Sequence, residues 1–205
     1  MLYDYLYQTY GVNTPIFTCE IQYKDYSDSW LYSALKELCE KGTIIKYDRG
    51  IYYIPTKTIF GNSHLSFDEV IEKKYIQDHG KIFGFYGGIG LLNGVGLSTQ
   101  VPATPTIITN VETSRKRIVE VAGNRVILKK PRVEVNSENV YAMTFLEIVT
   151  SIPEYYLEDE WRKECIIEYM NVRKIKRKDV TSLINVYPEL TSKKLLESEL
   201  IFYAA

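Results

Sequence analysis

Between Phe17 and Pro55 the chain runs from a short helical turn into an amphipathic helix and then into a hairpin with a basic tip, leaving no room for a linker. Few folds accept that order. Trp30, Leu31, Ala34, Leu35 and Leu38 recur at the spacing that stacks side chains on one face of a helix with about 3.6 residues per turn. Ser27, Asp28 or Ser29 can cap its start, where a side-chain oxygen satisfies an orphan backbone N–H, and Gly42 ends it as a left-handed cap. Its opposite face carries Asp28, Ser29, Tyr32, Ser33, Lys36 and Glu40. Upstream, Leu2, Tyr5, Leu6 and Tyr10 place an apolar stripe on a first helix closed by Gly11. After Pro15, Phe17 and Ile21 outline a very short second helix opened by Thr18. Downstream, the β-branched and aromatic runs Thr43 to Tyr47 and Ile51 to Ile54 flank Asp48-Arg49-Gly50, the pattern of a hairpin, which Pro55 stops. Three helices followed by a hairpin is the layout of a winged helix-turn-helix.

That layout makes DNA the expected ligand of residues 1–60. The third helix offers short hydrogen-bonding side chains near its start, suited to base edges in a major groove. The candidates are Thr18, Ser27, Asp28, Ser29, Tyr32, Ser33 and Lys36, with Lys46 and Arg49 of the hairpin placed to touch phosphate or a minor groove. A solvated helix face has a similar composition, so the order of the neighbouring elements carries the reading.

The whole chain gives no basic signature: its formal net charge is −1, so binding to nucleic acid must come from local patches. Eighteen tyrosines are the compositional outlier; many are expected half-buried with a wet hydroxyl. Cys19, Cys39 and Cys165 are odd in number and widely spaced, which reads as reduced thiols rather than a disulfide framework or a zinc site. No signal peptide or membrane-spanning run is recognisable, so the cytoplasm is the expected compartment and a membrane is not an expected partner.

Gly61, Asn62 and Ser63 form a polar break, and a second domain is expected over residues 61–152. It opens with a helix capped by Ser66 and carrying Phe67, Val70, Ile71, Lys74 and Tyr75. The glycine-dense run Gly84 to Gly96 follows, and its leucines and isoleucine imply a tightly packed helix. The run lacks the third glycine of a dinucleotide fingerprint and the Gly-Lys-Ser/Thr of a phosphate loop. Thr106 to Thr109 reads as a strand, and Arg117 to Val121 with Arg125 to Lys130 as a hairpin in which Val126 and Leu128 share one face. A helix from about Ala142 to Ile152 closes the domain. Residues 153–205 are expected as a helical extension with stripes at Trp161, Cys165, Tyr169 and Val172, at Val180, Leu183 and Ile184, and at Leu195, Leu196, Leu200 and Ile201 after a cap at Thr191. These helices are too short to stand alone and should pack on the middle domain or on a partner subunit. The fold class is therefore α+β: a winged helix-turn-helix, a mixed α/β domain and a helical tail.

Three basic clusters interrupt the neutral balance: Arg115-Lys116-Arg117, Lys129-Lys130 with Arg132, and Arg173 to Lys178. The first two lie on adjacent strands and are expected to converge on one phosphate-binding face. Catalysis has little to work with. His64 and His79 show no metal-ligand spacing, no Gly-x-Ser-x-Gly elbow is present, and the carboxylate pairs at Asp68-Glu69 and Glu158 to Glu160 look like helix starts, where acids favour the dipole. The expectation is a non-enzyme without catalytic residues, metal or cofactor.

Taken together, Arg49-Gly50-Ile51-Tyr52-Tyr53, the segment Gly94 to Pro102, Thr109-Asn110 and Lys130-Pro131-Arg132 resemble the AbiEi-like antitoxins of type IV abortive-infection toxin–antitoxin systems over about residues 1 to 152. The resemblance implies a winged helix that binds inverted repeats in its own promoter and a second domain that supports repression and antitoxicity. It also implies a nucleotidyltransferase-like toxin as functional partner and a monomer or homodimer on double-stranded DNA. By that resemblance DNA contact falls on the third helix and the hairpin, with support from Arg115, Lys116, Arg117, Lys129, Lys130 and Arg132. A second reading stays open. Asp28, Glu37 and Glu40 make the third helix acidic, which suits a protein-interaction module that binds a toxin or itself without specific DNA.

Overall fold

A computed structural model of the chain describes residues 1–24 and 27–204; Ala205, the end of the expected tail, lies outside them. The architecture is α+β, and by its contacts the chain divides into two units, Met1–Lys74 with Val121–Gly123, and Tyr75–Glu120 with Asn124–Ala205. The division falls beyond the polar break near residue 60, and the tail shares the second unit with the middle of the chain.

In the first unit, α1 (Leu2–Tyr10) buries Leu2 and Leu6 and closes at Gly11, whose φ of +73° suits glycine and whose N–H donates to the Tyr7 carbonyl. β1 (Ile16–Phe17) leads into a single 3-10 turn (Thr18–Glu20), then α2 (Asp28–Glu40), β2 (Ile45–Asp48) and β3 (Ile51–Tyr53). The three strands form one sheet in the order β1-β3-β2, with Ile16 opposite Tyr52 and Phe17 opposite Ile51. Phe17 is thus a strand residue rather than part of the short helix. Of the apolar positions on α2, Leu35 is fully buried, and Leu31, Ala34 and Leu38 pack against a core of Leu2, Leu6, Ile16, Leu35, Ile44, Tyr52 and Ile54. Trp30 departs from that stripe, lying 37% exposed and stacked on Tyr23 with ring centroids 6.0 Å apart.

β4 (Lys57–Thr58) and β5 (Gly61–Asn62) pair as a small hairpin where the sequence reads as a plain break. α3 (Phe67–Ile71) starts in the expected way: Ser66 Oγ accepts from the Glu69 N–H while Glu69 Oε2 accepts from the Ser66 N–H. It continues as a π turn over Glu72–Ile76 that carries the buried Lys73. Lys73 Nζ donates to the Pro15 carbonyl at 2.7 Å and to Glu20 at 3.1 Å, over the Tyr10 and Phe17 rings.

The second unit opens with the short pair β6 (Gln77–Asp78) and β7 (Lys81–Ile82), then β8 (Gly84–Gly87) and α4 (Gly88–Gly94). The glycine run is therefore a strand before it is a helix. At Gly84 a Cβ would sit 2.1 Å from the Tyr75 carbonyl oxygen and 2.9 Å from that of Ile108, so glycine permits the close approach of three backbone segments. β9 (Thr106–Thr109), β10 (Arg117–Val121) and β11 (Asn124–Lys129) complete a four-stranded sheet in the order β10-β11-β9-β8, with β9 antiparallel to β8 and parallel to β11. Val126 and Leu128 are buried and alternate with Arg125, Ile127 and Lys129, as the hairpin pattern predicts.

α5 (Val140–Ser151) is apolar on nearly every side and is the buried centre of the unit. α4, α6 (Glu160–Val172), α7 (Arg177–Leu183) and α8 (Glu189–Glu197) contribute to one core with Phe145, Leu146, Ile148 and Val149. The tail stripes are partly redrawn. α6 buries Ile166 and Met170, whereas Trp161 and Val172 are exposed, and Leu196 is exposed beside the buried Leu195. Thr191 is no cap: it lies inside α8, buried, with its hydroxyl 2.9 Å from that of Thr150, and Pro188 takes the cap position. Lys194 reaches from α8 to the last turn of α5, donating to the Val149 and Ile152 carbonyls at 3.3 and 2.5 Å.

Candidate functional site

The strongest concentration of chemistry in the second unit follows from sheet register. Phe85 lies opposite Ile108, and Ile108 opposite Lys129, so one row across β8, β9 and β11 directs these three side chains to the same face. α5 lies over that face, with Met143 in the same apolar cluster as Phe85 and Ile108. One helical turn further on is Glu147, the only carboxylate of α5. The space between is an open cavity of about 840 Å³ lined by Phe85, Ile108, Met143, Glu147, Pro131 and Tyr187, with Arg115, Lys116, Lys129, Lys130 and Arg132 supplying five cations.

Two polar ties hold the segments that bring those cations. Asn110 Nδ2 donates to the Val135 carbonyl and Asn110 Oδ1 accepts from the Val135 N–H, both at 2.8 Å. The Lys130 N–H donates to the Ser114 carbonyl at 3.2 Å, tying the end of β11 to the loop that carries Arg115 and Lys116. That loop is folded around Glu112, whose side chain is almost fully buried. Its carboxylate accepts from the Ser114 N–H at 2.8 Å and from Arg117 Nε at 2.7 Å, and these bonds, the backbone one foremost, hold its carboxyl below the usual range.

Arg117 is consequently spent on Glu112 and does not line the cavity, unlike the other five cations named from the sequence. Arg132 is fixed in place, with its Nη1 donating to the Val186 carbonyl at 3.2 Å and its guanidinium 4.9 Å from the centre of the Tyr187 ring. Tyr187 itself is buried, donates to the Met143 carbonyl, and has its hydroxyl pushed to higher pKa by burial. Arg115, Lys116, Lys129 and Lys130 form no salt bridge among the described residues. Burial pushes the Glu147 carboxyl upward, against the opposing pull of Lys129 and Arg132.

Glu147 and Tyr187 are the polar cavity-lining residues that sequence reasoning misses. A lone carboxylate within the apolar run Val140–Ser151 was a signal available for Glu147; Tyr187 has none, since it arrives from a distant helix connection.

The candidates in the first unit are differently placed. Ser27 caps α2, its Oγ accepting from the Trp30 N–H at 3.4 Å. Asp28, Ser29, Tyr32, Ser33 and Lys36 are exposed on that helix, as are Lys46 and Arg49 at the β2–β3 hairpin. Ser33 Oγ donates to the Ser29 carbonyl, and Lys36 lies 3.8 Å from Glu40. Thr18 is half-buried, with its N–H and its hydroxyl both directed at the Gly50 carbonyl, which ties the 3-10 turn to the hairpin turn. Among the described residues no group of three or more His, Cys, Asp and Glu is arranged to hold a metal ion, and no helix is long and apolar enough to cross a membrane. Comparison with protein-family models and with curated proteins returns no match.

Proposed function

We propose that the protein is a DNA-binding transcriptional autorepressor and antitoxin of the AbiEi-like kind, reading promoter repeats through an N-terminal winged helix-turn-helix and counteracting a nucleotidyltransferase-like toxin. The observation that carries this reading is the order of the first unit: α1, β1, a short helical turn, α2, then β2 and β3, in a sheet ordered β1-β3-β2. In a winged helix that order sends the helix before the hairpin into a major groove and the hairpin turn onto the backbone. The exposed Ser29, Tyr32, Ser33 and Lys36 then serve as base-reading side chains and Arg49 as the phosphate contact. The cavity cations of the second unit supply a phosphate-binding role.

Titration of the full chain onto the DNA upstream of its own gene, repeated across salt concentrations, tests the reading. Affinity is expected to fall as salt rises, because each neutralised phosphate releases counterions. Arg49→Ala is expected to weaken all duplexes alike, while Ser33→Ala or Tyr32→Ala changes sequence preference. Absence of any shift, or an affinity indifferent to salt, overturns it in favour of the interaction module that the Lys36–Glu40 and Lys41–Glu37 pairs on α2 would suit.

A further inference from the structure

We infer that the cavity between α5 and the four-stranded sheet is a binding site for a free nucleoside polyphosphate. The inference shares with the proposed function only the premise that phosphate is the ligand of these cations.

Three chemistries meet in this one concavity. Arg115, Lys116, Lys129, Lys130 and Arg132 gather five positive charges around it. Duplex DNA spreads its charge over two strands around a wide cylinder, about 3.4 Å apart along the axis on each, whereas a nucleoside triphosphate gathers all of its charge on adjoining phosphates that fit one concavity. The floor of Phe85, Ile108 and Met143 is apolar and suits a flat ring rather than a phosphate chain. Glu147 then places an acceptor among the cations, and among the described residues nothing donates a hydrogen bond to it. A carboxylate repels a continuous phosphate backbone but accepts readily from the N–H groups on a base edge. Inorganic polyphosphate would leave both the floor and Glu147 unused. A nucleoside polyphosphate uses all three, with its phosphates on the cations, its base on the floor and its N–H donors on Glu147.

The volume agrees, since small-molecule sites run from about 300 to 1,000 Å³. The site is also largely pre-formed. Arg132 is oriented by the Val186 carbonyl and the Tyr187 ring, and the loop bearing Arg115 and Lys116 is tied down by Glu112 and Lys130. The backbone needs little further ordering, and the cost that remains is that of fixing the long side chains of Arg115, Lys116, Lys129 and Lys130.

The test is calorimetric titration of the full chain, without DNA, by ATP, GTP, CTP and UTP and separately by inorganic tripolyphosphate. At least one nucleotide is expected to bind about tenfold more tightly than tripolyphosphate. Lys129→Ala and Lys116→Ala, neither of which removes a described side-chain hydrogen bond, are expected to weaken both classes of ligand. Glu147→Leu is expected to tighten tripolyphosphate by removing a negative charge while abolishing the nucleotide preference, so the two affinities move in opposite directions. Two results overturn the inference: no nucleotide binding at millimolar concentration, or nucleotide affinity no better than that of tripolyphosphate and unchanged in Glu147→Leu. A third is displacement of bound nucleotide by a short duplex, with Lys129→Ala weakening duplex and nucleotide equally; the cavity then belongs to a nucleic-acid surface. Promoter binding through α2 and the hairpin is read separately, so either idea can fail while the other stands.

Discussion

The cations of α2 and those of the cavity are the same residue types in opposite circumstances. On α2 and at the residue that follows it, Lys36 lies 3.8 Å from Glu40 and Lys41 lies 2.5 Å from Glu37, each pair one helical turn apart on an exposed surface. Around the cavity, five cations from two separate runs of the sequence converge without a salt bridge among the described residues, and Arg117, the neighbour that has found a partner, is excluded. Basic residues in a sequence therefore become a site according to what fails to neutralise them. Helical spacing supplies partners locally, whereas beside the cavity the buried carboxylate of the Arg115 loop, Glu112, is already taken by Arg117.

The register is the part to break first. Gly84→Ala would push a Cβ into the Tyr75 and Ile108 carbonyls and force β8 away from β9, removing Phe85 from the cavity floor. A loss on the order of 3 kcal/mol or more is expected in denaturant unfolding, with the triphosphate titration lost alongside it.

Glu112→Gln sharpens the contrast by removing the carboxylate that neutralises Arg117. The folded-state pKa of Glu112 lies below its unfolded value, so its stabilisation is fully present above the ordinary carboxylate range near pH 4.5 and disappears as pH falls through the lowered folded value. Thermal melts from neutral to acid pH should show the wild-type midpoint dropping through that window and a smaller drop in the variant. The variant should start lower at pH 7. The smallest effect is expected on α2, where Lys36→Ala removes a pair with both side chains largely in solvent; melting should register no more than about 0.5 kcal/mol.

Local signals in the sequence were enough for α2, for the β2–β3 and β10–β11 hairpins, for the Ser66 cap and for α5, because each is a period or a cap completed within a few residues. β1 escaped because two residues, Ile16 and Phe17, have no period of their own and are strand only through pairing with β3. β8 escaped for a related reason: Gly84 answers to the carbonyls of Tyr75 and Ile108, and no short window around residue 84 contains Ile108. On α6 the apolar residues occupy more than one face, so periodicity alone selected Trp161 and Val172 where packing selected Ile166 and Met170. Five of the cavity residues were recognisable as cations in clusters. Glu147, Tyr187 and the apolar floor became part of the site only once β9 lay between β8 and β11.

Lys194 gives the end of the chain a role that its position does not advertise. By donating to the Val149 and Ile152 carbonyls it serves as the C-terminal cap of α5, a helix formed some forty residues earlier. The helix that carries Glu147 into the cavity is thus finished by a residue synthesised long after it, and a nascent chain released before α8 would hold the cations and the floor of the site beneath a helix still fraying at its end.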